Sequence, residues 1–462
     1  MTEAQDPDLR ARIQLRLAGE PDQLGYAASI ANADAAVAEL EAVDRSAVDR
    51  DLLACALLQS AQLRFEAGLG NHTAAIERAT SLLADQPRRA ADGDLRPESL
   101  RAHAISWQWA ADHDDFATAL AGALADIGRA RDYGMDRPLA IGEAEVAYLC
   151  AWSGDLASAG DHAQAALDAA DVVGTRESRS AALCAVGVVA LLGGDLDAAE
   201  EAARAGLVLA ADPADWLDAR HEVNMGAVAL VRGHAAEAAG ILGPLFDRLV
   251  GLGARESNHR FAGDLVEAAV LAGDLARARG VLEVIEGSAR IVPRPWVMVM
   301  AARGRAQVHA AEGDLDAADL EVGAALAAAA DLPMPVERAR TELIAGRIAR
   351  RRKERRRAAE HLERAAESFR SVGATAWVAI AEDDMARLGR RRGGGDTLTE
   401  TEDRVARLAA GGLTNREVGE AAFLTAKSVE GVLARVYGKL GIGSRAELGA
   451  WLAEQGGAGR EG

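Results

Sequence analysis

The residues with the clearest chemistry lie in one short stretch near the C-terminus: Lys427, Ser428, Glu430, Arg435 and Lys439, followed by Arg445. They are cationic and hydrogen-bonding side chains at helical spacing, suited to phosphates and base edges rather than to bond-making chemistry. Between Lys427 and Arg445 the only acid is Glu430, so the local sign is positive. Residues 396–462 nevertheless hold 8 Lys and Arg against 10 Asp and Glu, and the whole chain carries −19. That balance excludes a protein that coats nucleic acid with its whole surface and confines any footprint to a patch. Double-stranded DNA is the first partner to consider.

Other chemistries find less support. No Ser/His/Asp or Cys/His set has a recognisable context, and no GxxxxGK run followed by Ser or Thr is present; the nearest imitation, Gly431 to Leu440, lies inside a predicted helix. Cys55, Cys150 and Cys184 are too widely spaced for a disulfide framework or a zinc site and read as buried thiols. The nine histidines show no paired spacing, so neither a metal nor a cofactor is expected, and the chain does not read as an enzyme. No apolar run reaches membrane-spanning length, and the start, MTEAQDPDLRAR, is acidic and polar; the expectation is a cytoplasmic protein with no membrane contact.

The elements that would position the cationic stretch announce themselves by their caps. Thr399 with Glu402, Thr414 with Glu417 and Ser444 with Glu447 are three capping boxes in under 50 residues, in which a hydroxyl accepts from the third backbone N–H while the glutamate reaches back to the cap. They predict helices at about 400–410, 415–421 and 445–454, and Thr425 begins another at about 426–440. Gly411-Gly412 and Gly441 are the stops. The short turn Ala422-Phe423-Leu424 makes the middle pair a helix-turn-helix. Val405, Leu408, Val418, Leu424, Val429, Leu433, Val436, Leu440, Leu448 and Leu452 are the expected core, leaving Lys427, Ser428, Glu430, Gly431, Ala434, Arg435 and Lys439 on the outer face.

The first 390 residues are periodic. Gly-Asp-Leu recurs at Gly154, Gly194, Gly273 and Gly313, with Gly233-His234-Ala235 filling the gap, in steps of 40, 39, 40 and 40 residues. Asp114-Asp115 extends the phase backwards, with looser copies near Gly70 and Ala31, and Lys353 extends it forwards. In each unit the glycine closes one helix and the following Asp caps the next, as in LDAAEEAARAGLVLAA, where Ala198, Ala199, Ala202 and Ala203 allow close helix approach. Such hairpins cannot bury an apolar face alone and must stack into a solenoid. Trp216, Trp296 and Trp377 share one phase and read as packing between repeats, whereas Trp107, Trp109 and Trp152 break it and are candidates for a concave binding wall. The Arg-rich run at 350–357 falls on a turn, where a charge run is ordinarily a solvated face with phosphate contact as the alternative.

Residues 398–452 resemble the C-terminal DNA-binding domain of LuxR-type transcriptional regulators, through LTxxE, GLTNxEV, FLTxxSVE and YxKLGIxSRxEL, while the repeats resemble tetratricopeptide repeats with a longer period. Together they resemble the large maltose-activator-type regulators without their nucleotide-binding domain. The resemblance implies that Glu430, Gly431 and Ala434 face bases and that Thr414, Asn415, Lys427, Ser428, Arg435 and Lys439 hold phosphates, with Arg445 completing the DNA-binding set. Val432 stands where the family often has histidine. The expected protein is therefore all-α: a TPR-like solenoid of about nine hairpins over 1–389, an Arg/Gly-rich linker at 390–396, a helix-turn-helix domain at 397–456 and a disordered tail at 457–462. Its expected function is transcriptional regulation, with the solenoid sensing a protein, peptide or small-molecule effector and a homodimer on DNA joined around Leu448, Trp451 and Leu452. The alternative is an interaction scaffold with a weakened helix-turn-helix.

Overall fold

The computed structural model describes residues 6–19, 21–42, 49–83, 97–209, 216–256, 260–389, 398–440 and 442–458. The chain forms two compact units, Met1–Met385 and Ala386–Gly462. Every regular element among the described residues is a helix, as the composition requires. The expected linker at 390–396 lies outside the described residues.

The first unit opens with α1 (Pro7–Ala18), α2 (Pro21–Leu24) and α3 (Tyr26–Glu41). Helical hairpins follow: α4 (Arg50–Glu66) with α5 (Thr73–Leu83), α6 (Pro97–Asp112) with α7 (Phe116–Asp132), α8 (Asp136–Ser153) with α9 (Leu156–Val173), and α10 (Arg176–Gly193) with α11 (Leu196–Leu209). Then come α12 (Trp216–Val231) with α13 (Ala235–Leu252), α14 (Ala262–Ala272) with α15 (Leu275–Ile291), α16 (Pro295–Glu312) with α17 (Leu315–Ala329), and α18 (Pro335–Arg351) with α19 (Arg355–Ser371). The last helix, α20 (Thr375–Gly389), carries the division between the units.

One local device makes the turn inside each of the five best-matched hairpins. Gly154 N–H and Asp155 N–H donate back to Ala151 O at 3.2 Å and Cys150 O at 2.9 Å, a Schellman closure that recurs at Gly194, Gly233, Gly273 and Gly313. These glycines all have φ between 83° and 92°, where a Cβ is penalised. The next residue starts the second helix: Asp155, Asp195, Asp274 and Asp314 each accept a backbone N–H three residues on, at 3.0, 3.0, 2.9 and 3.0 Å. Ala199, Ala202 and Ala203 are buried, so the small-residue face is a packing face.

The array winds so that distant hairpins touch. Arg294 Nε donates to Asp112 O at 2.8 Å, Trp296 N–H to Asp114 Oδ2 at 2.9 Å, and Thr375 Oγ1 to Gly193 O at 2.5 Å. Each of these pairs is separated by 182 residues. Trp296 and Trp377 are buried, in keeping with a packing phase, while the side chain of Trp216 lies outside the described residues.

Of the three out-of-phase tryptophans, Trp107 is withdrawn from any binding wall. Trp107 is buried and its Nε1–H donates to Asp126 within its own hairpin at 2.8 Å. Trp109 stacks on His113 at 4.2 Å, and Trp152 lies beneath the Arg260 guanidinium at 4.8 Å. Each ring is thus engaged by a side chain of the array, while Trp109 and Trp152 stay half-buried. No helix among the described residues is long and apolar enough to cross a membrane.

Candidate nucleic-acid interface

The second unit holds α21 (Glu400–Ala410), α22 (Asn415–Ala422), α23 (Ala426–Leu440) and α24 (Arg445–Ala458). Thr399 and Thr414 form complete capping boxes: Thr399 N–H and Thr414 N–H reach Glu402 and Glu417 carboxylates at 2.9 and 2.7 Å. The third box differs by one residue. Glu447 N–H donates to Ser444 Oγ at 3.2 Å, but the Glu447 carboxylate takes the Gly443 N–H at 2.8 Å instead of that of the cap. Thr425 caps α23 by accepting from Ser428 N–H at 3.1 Å. The stop at Gly441 lies outside the described residues, as do 459–462; α24 runs to Ala458, so 457 and 458 belong to the helix and not to a tail.

The turn that sets α22 against α23 depends on one glycine. Phe423 adopts a left-handed backbone (φ 56°), and Leu424 N–H returns to Gly419 O at 2.8 Å. A Cβ at Gly419 would stand 2.6 Å from Leu424 O, closer than real carbon atoms approach backbone oxygen, so the chain can reverse here only over a bare α-carbon.

Beneath α23, Val429, Val432, Leu433 and Val436 pack with Val405, Ala406, Ala409, Val418 and Leu448. Val432, which occupies the position the family often gives to histidine, is therefore a core residue. Leu448 is fully buried in the same core, so of the three residues expected to join two copies only Trp451 and Leu452 keep exposed surface. Lys427, Ser428, Glu430, Ala434 and Arg435 point outward, with Gly431 half-buried among them. Thr414 is exposed and Asn415 half-buried at the start of α22. Six of the ten anticipated residues thus share the outward side of α23, and Thr414 and Asn415 stand at the start of α22.

Two residues depart from that face. The Lys439 side chain is only 13 % exposed, and its ammonium is bound to Glu402 of α21. The reason lies in helix geometry: Lys439 falls three residues after Val436 and seven after Val432, on the buried side. Glu402 also stands 3.8 Å from Arg435 Nε. The Lys439 hydrogen bond first, and the Thr399 N–H second, hold the Glu402 carboxyl down at about 2. Sequence reasoning missed this tie because its partners are 37 residues apart, although the phase of Lys439 against Val432 and Val436 was a readable sign. Arg445 is half-buried, and its Nε and Nη2 find no hydrogen-bond partner among the described residues.

Residues 396–452 match the family model described as bacterial regulatory proteins, luxR family, so this unit carries a LuxR-family helix-turn-helix domain. None of the curated proteins matches the chain. Among solved structures, the chain is similar to a Rap protein complexed with competence and sporulation factor, at 11 % identity and TM-score 0.49, over 83 % of this chain and 97 % of that one. It is also similar to the APC/C hetero-tetramer Cut9-Hcn1, at 13 % identity and TM-score 0.48, over 79 % and 73 %. A third is yeast Tom70, at 11 % identity and TM-score 0.33, over 84 % and 98 %.

Proposed function

We propose that the chain is a sequence-specific, DNA-binding transcriptional regulator in which α23 enters the major groove and the helical array receives the signal. One observation carries this reading: the four valine and leucine side chains of α23 close the core beneath it, while its outward face offers small and polar residues, the cations Lys427 and Arg435 and a single acid, Glu430. A helix raised in this way fits the groove with its first turn toward base edges.

The roles follow from placement. Lys427, Ser428 and Arg435, with Thr414 and Asn415 at the start of α22, contact phosphates. Glu430 accepts from a cytosine amino group, Ala434 packs on a thymine methyl, and Gly431 lets the backbone approach the groove floor. With one acid and two small residues facing bases, part of the discrimination rests on DNA shape. Arg445 joins the phosphate set because its orphan donors would find their first acceptor there. Lys439 acts at one remove, by fixing α23 to α21. Two copies bind paired half-sites, joined through the exposed surface of α24 at Trp451 and Leu452. The stacked hairpins supply the extended surface on which a protein, peptide or small-molecule effector acts.

A repeat scaffold with a weakened helix-turn-helix is the second reading. The withdrawal of Lys439 from the outer face and the acid Glu430 upon it favour that reading. Chromatin immunoprecipitation with sequencing, followed by binding of the full chain to recovered promoters across salt, separates the two. A regulator occupies discrete promoters, and Lys427→Ala lowers its salt slope by about 1. Absence of promoter occupancy, with no duplex binding at any salt, refutes it.

A further inference from the structure

Lys353 stands where Gly154, Gly194, Gly233, Gly273 and Gly313 stand in their repeats, and it takes their left-handed backbone with φ 68°. A residue with a Cβ is disfavoured there, and the closing bonds from Lys353 N–H to Arg350 O and from Glu354 N–H to Ala349 O, both 3.0 Å, hold the turn without giving the side chain a use. The other non-glycine at this phase has one. Asp114 (φ 64°) accepts from Trp296 N–H at 2.9 Å and from Arg260 at 3.2 Å, tying distant hairpins together.

Lys353 has no such use inside the fold. Its side chain is exposed, and no side-chain hydrogen bond or ion pair joins it to a described residue; the same holds for the side chains of Arg351 and Arg355 on either side. Arg356 is 93 % exposed and, among the described residues, meets only Glu360, one turn on, at 3.1 Å. The remaining cations of this turn are neutralised: Arg350 by Asp384 at 2.8 Å, Arg352 by Glu354 at 2.8 Å and Arg357 by Asp319 at 2.7 Å. Three uncompensated cations therefore project from the corner between α18 and α19, on a chain whose net charge is −19.

We propose that this corner is a second phosphate-binding patch, which grips the backbone of duplex DNA. The proposal rests on the DNA-binding reading above. DNA is favoured as occupant by a shortage of charge: residues 396–462 carry 8 Lys and Arg against 10 Asp and Glu. Lys439 is bound to Glu402, which leaves Lys427 and Arg435 as the cations of the reading face. Duplex affinity grows with each phosphate neutralised, and exposed cations contribute to it without requiring any base contact.

The test titrates the full chain with random-sequence duplex DNA from about 50 to about 200 mM salt. The variants are Lys427→Ala, Lys353→Gly, and the triple Arg351→Gln, Lys353→Gly, Arg355→Gln. Lys353→Gly relieves the backbone, so it melts no lower than the parent while its salt slope falls by about 0.9; the triple variant loses between about 2 and about 3. A triple variant with the parental slope, beside a Lys427→Ala that lowers it, overturns the second patch and leaves the regulator reading standing. If that triple variant instead loses binding to polyglutamate, the corner belongs to an acidic protein and the proposal is equally overturned. Failure of the parent chain to bind any duplex removes the regulator reading itself and this patch with it.

Discussion

Lys439 is where local pattern and tertiary structure disagree, and Lys439→Met turns the disagreement into a measurement. A cation on the outer face would lose about 1 from the salt slope on neutralisation. The structure predicts almost none, because the Lys439 side chain is 13 % exposed and its ammonium is spent on Glu402, whose side chain is 8 % exposed. The cost appears in stability instead. Breaking a fully buried pair costs about 3–5 kcal/mol. Here Glu402 keeps the Thr399 N–H at 2.9 Å and the Thr399 hydroxyl at 3.0 Å, and Arg435 remains 3.8 Å away, so the residual charge is partly satisfied. We expect about 1–2 kcal/mol, below the fully buried case and above an exposed pair. Hydrogen exchange on peptides covering 426–440 reads this directly, as protection falling by roughly 5- to 30-fold. The sign with pH follows from the carboxyl being held at about 2: its contribution is complete above the unfolded value of 4.5 and is lost as the pH falls through about 2. The gap between parent and variant should therefore close as the medium is acidified below 4.5. A slope reduced by about 1, with unchanged protection of α23, would refute this account.

Three further outcomes follow. Gly419→Ala pushes a Cβ to 2.6 Å from Leu424 O, and since backbone cannot swing aside as a flexible side chain can, the domain should lose on the order of 2 kcal/mol together with duplex binding; parental melting of the variant would show the turn has slack. Arg340→Met in the array leaves Asp264, Glu267 and Glu337 without the guanidinium they share at 2.6, 2.9 and 2.8 Å, for a loss of about 3–5 kcal/mol in denaturant unfolding. Burial pushes Glu337 upward, but Arg340 and Arg303 hold it at about 2, so that loss should shrink below pH 4.5, where the parent begins to forfeit the same interaction. His221 is fully buried against Ser180 at 2.9 Å, and burial, aided by Arg220, lowers it to about 4. Its unfolded form binds a proton that the folded form refuses, so the melting temperature of the array should fall as the pH drops from 6.5 toward 4; a His221→Gln variant retaining the whole of that decline would exclude His221 as its source.

The features legible in the amino-acid sequence are those completed within a few residues of chain. A glycine at a helix end and an aspartate beside it satisfy backbone groups three to five positions away, so Gly154-Asp155 and its copies announce both the turn and the next helix wherever they stand. The same locality made Thr399, Thr414 and Thr425 readable as helix starts and placed Lys427, Ser428, Glu430 and Arg435 outward of Val429 and Val436. Tertiary structure decided whatever required knowing which segments meet. The pitch of the array brings Asp114 to Trp296 and Thr375 to Gly193 across 182 residues, and no periodicity within a repeat encodes that pitch. It took Trp107, a candidate for a binding wall, into the interior against Asp126. It also withdrew Lys439 to Glu402 while leaving Lys353, at a position built for glycine, facing solvent. A cap is settled by the backbone beside it, whereas the partner of a charge is settled only when helices have packed, because an ion pair forms wherever the fold lowers the cost of leaving water.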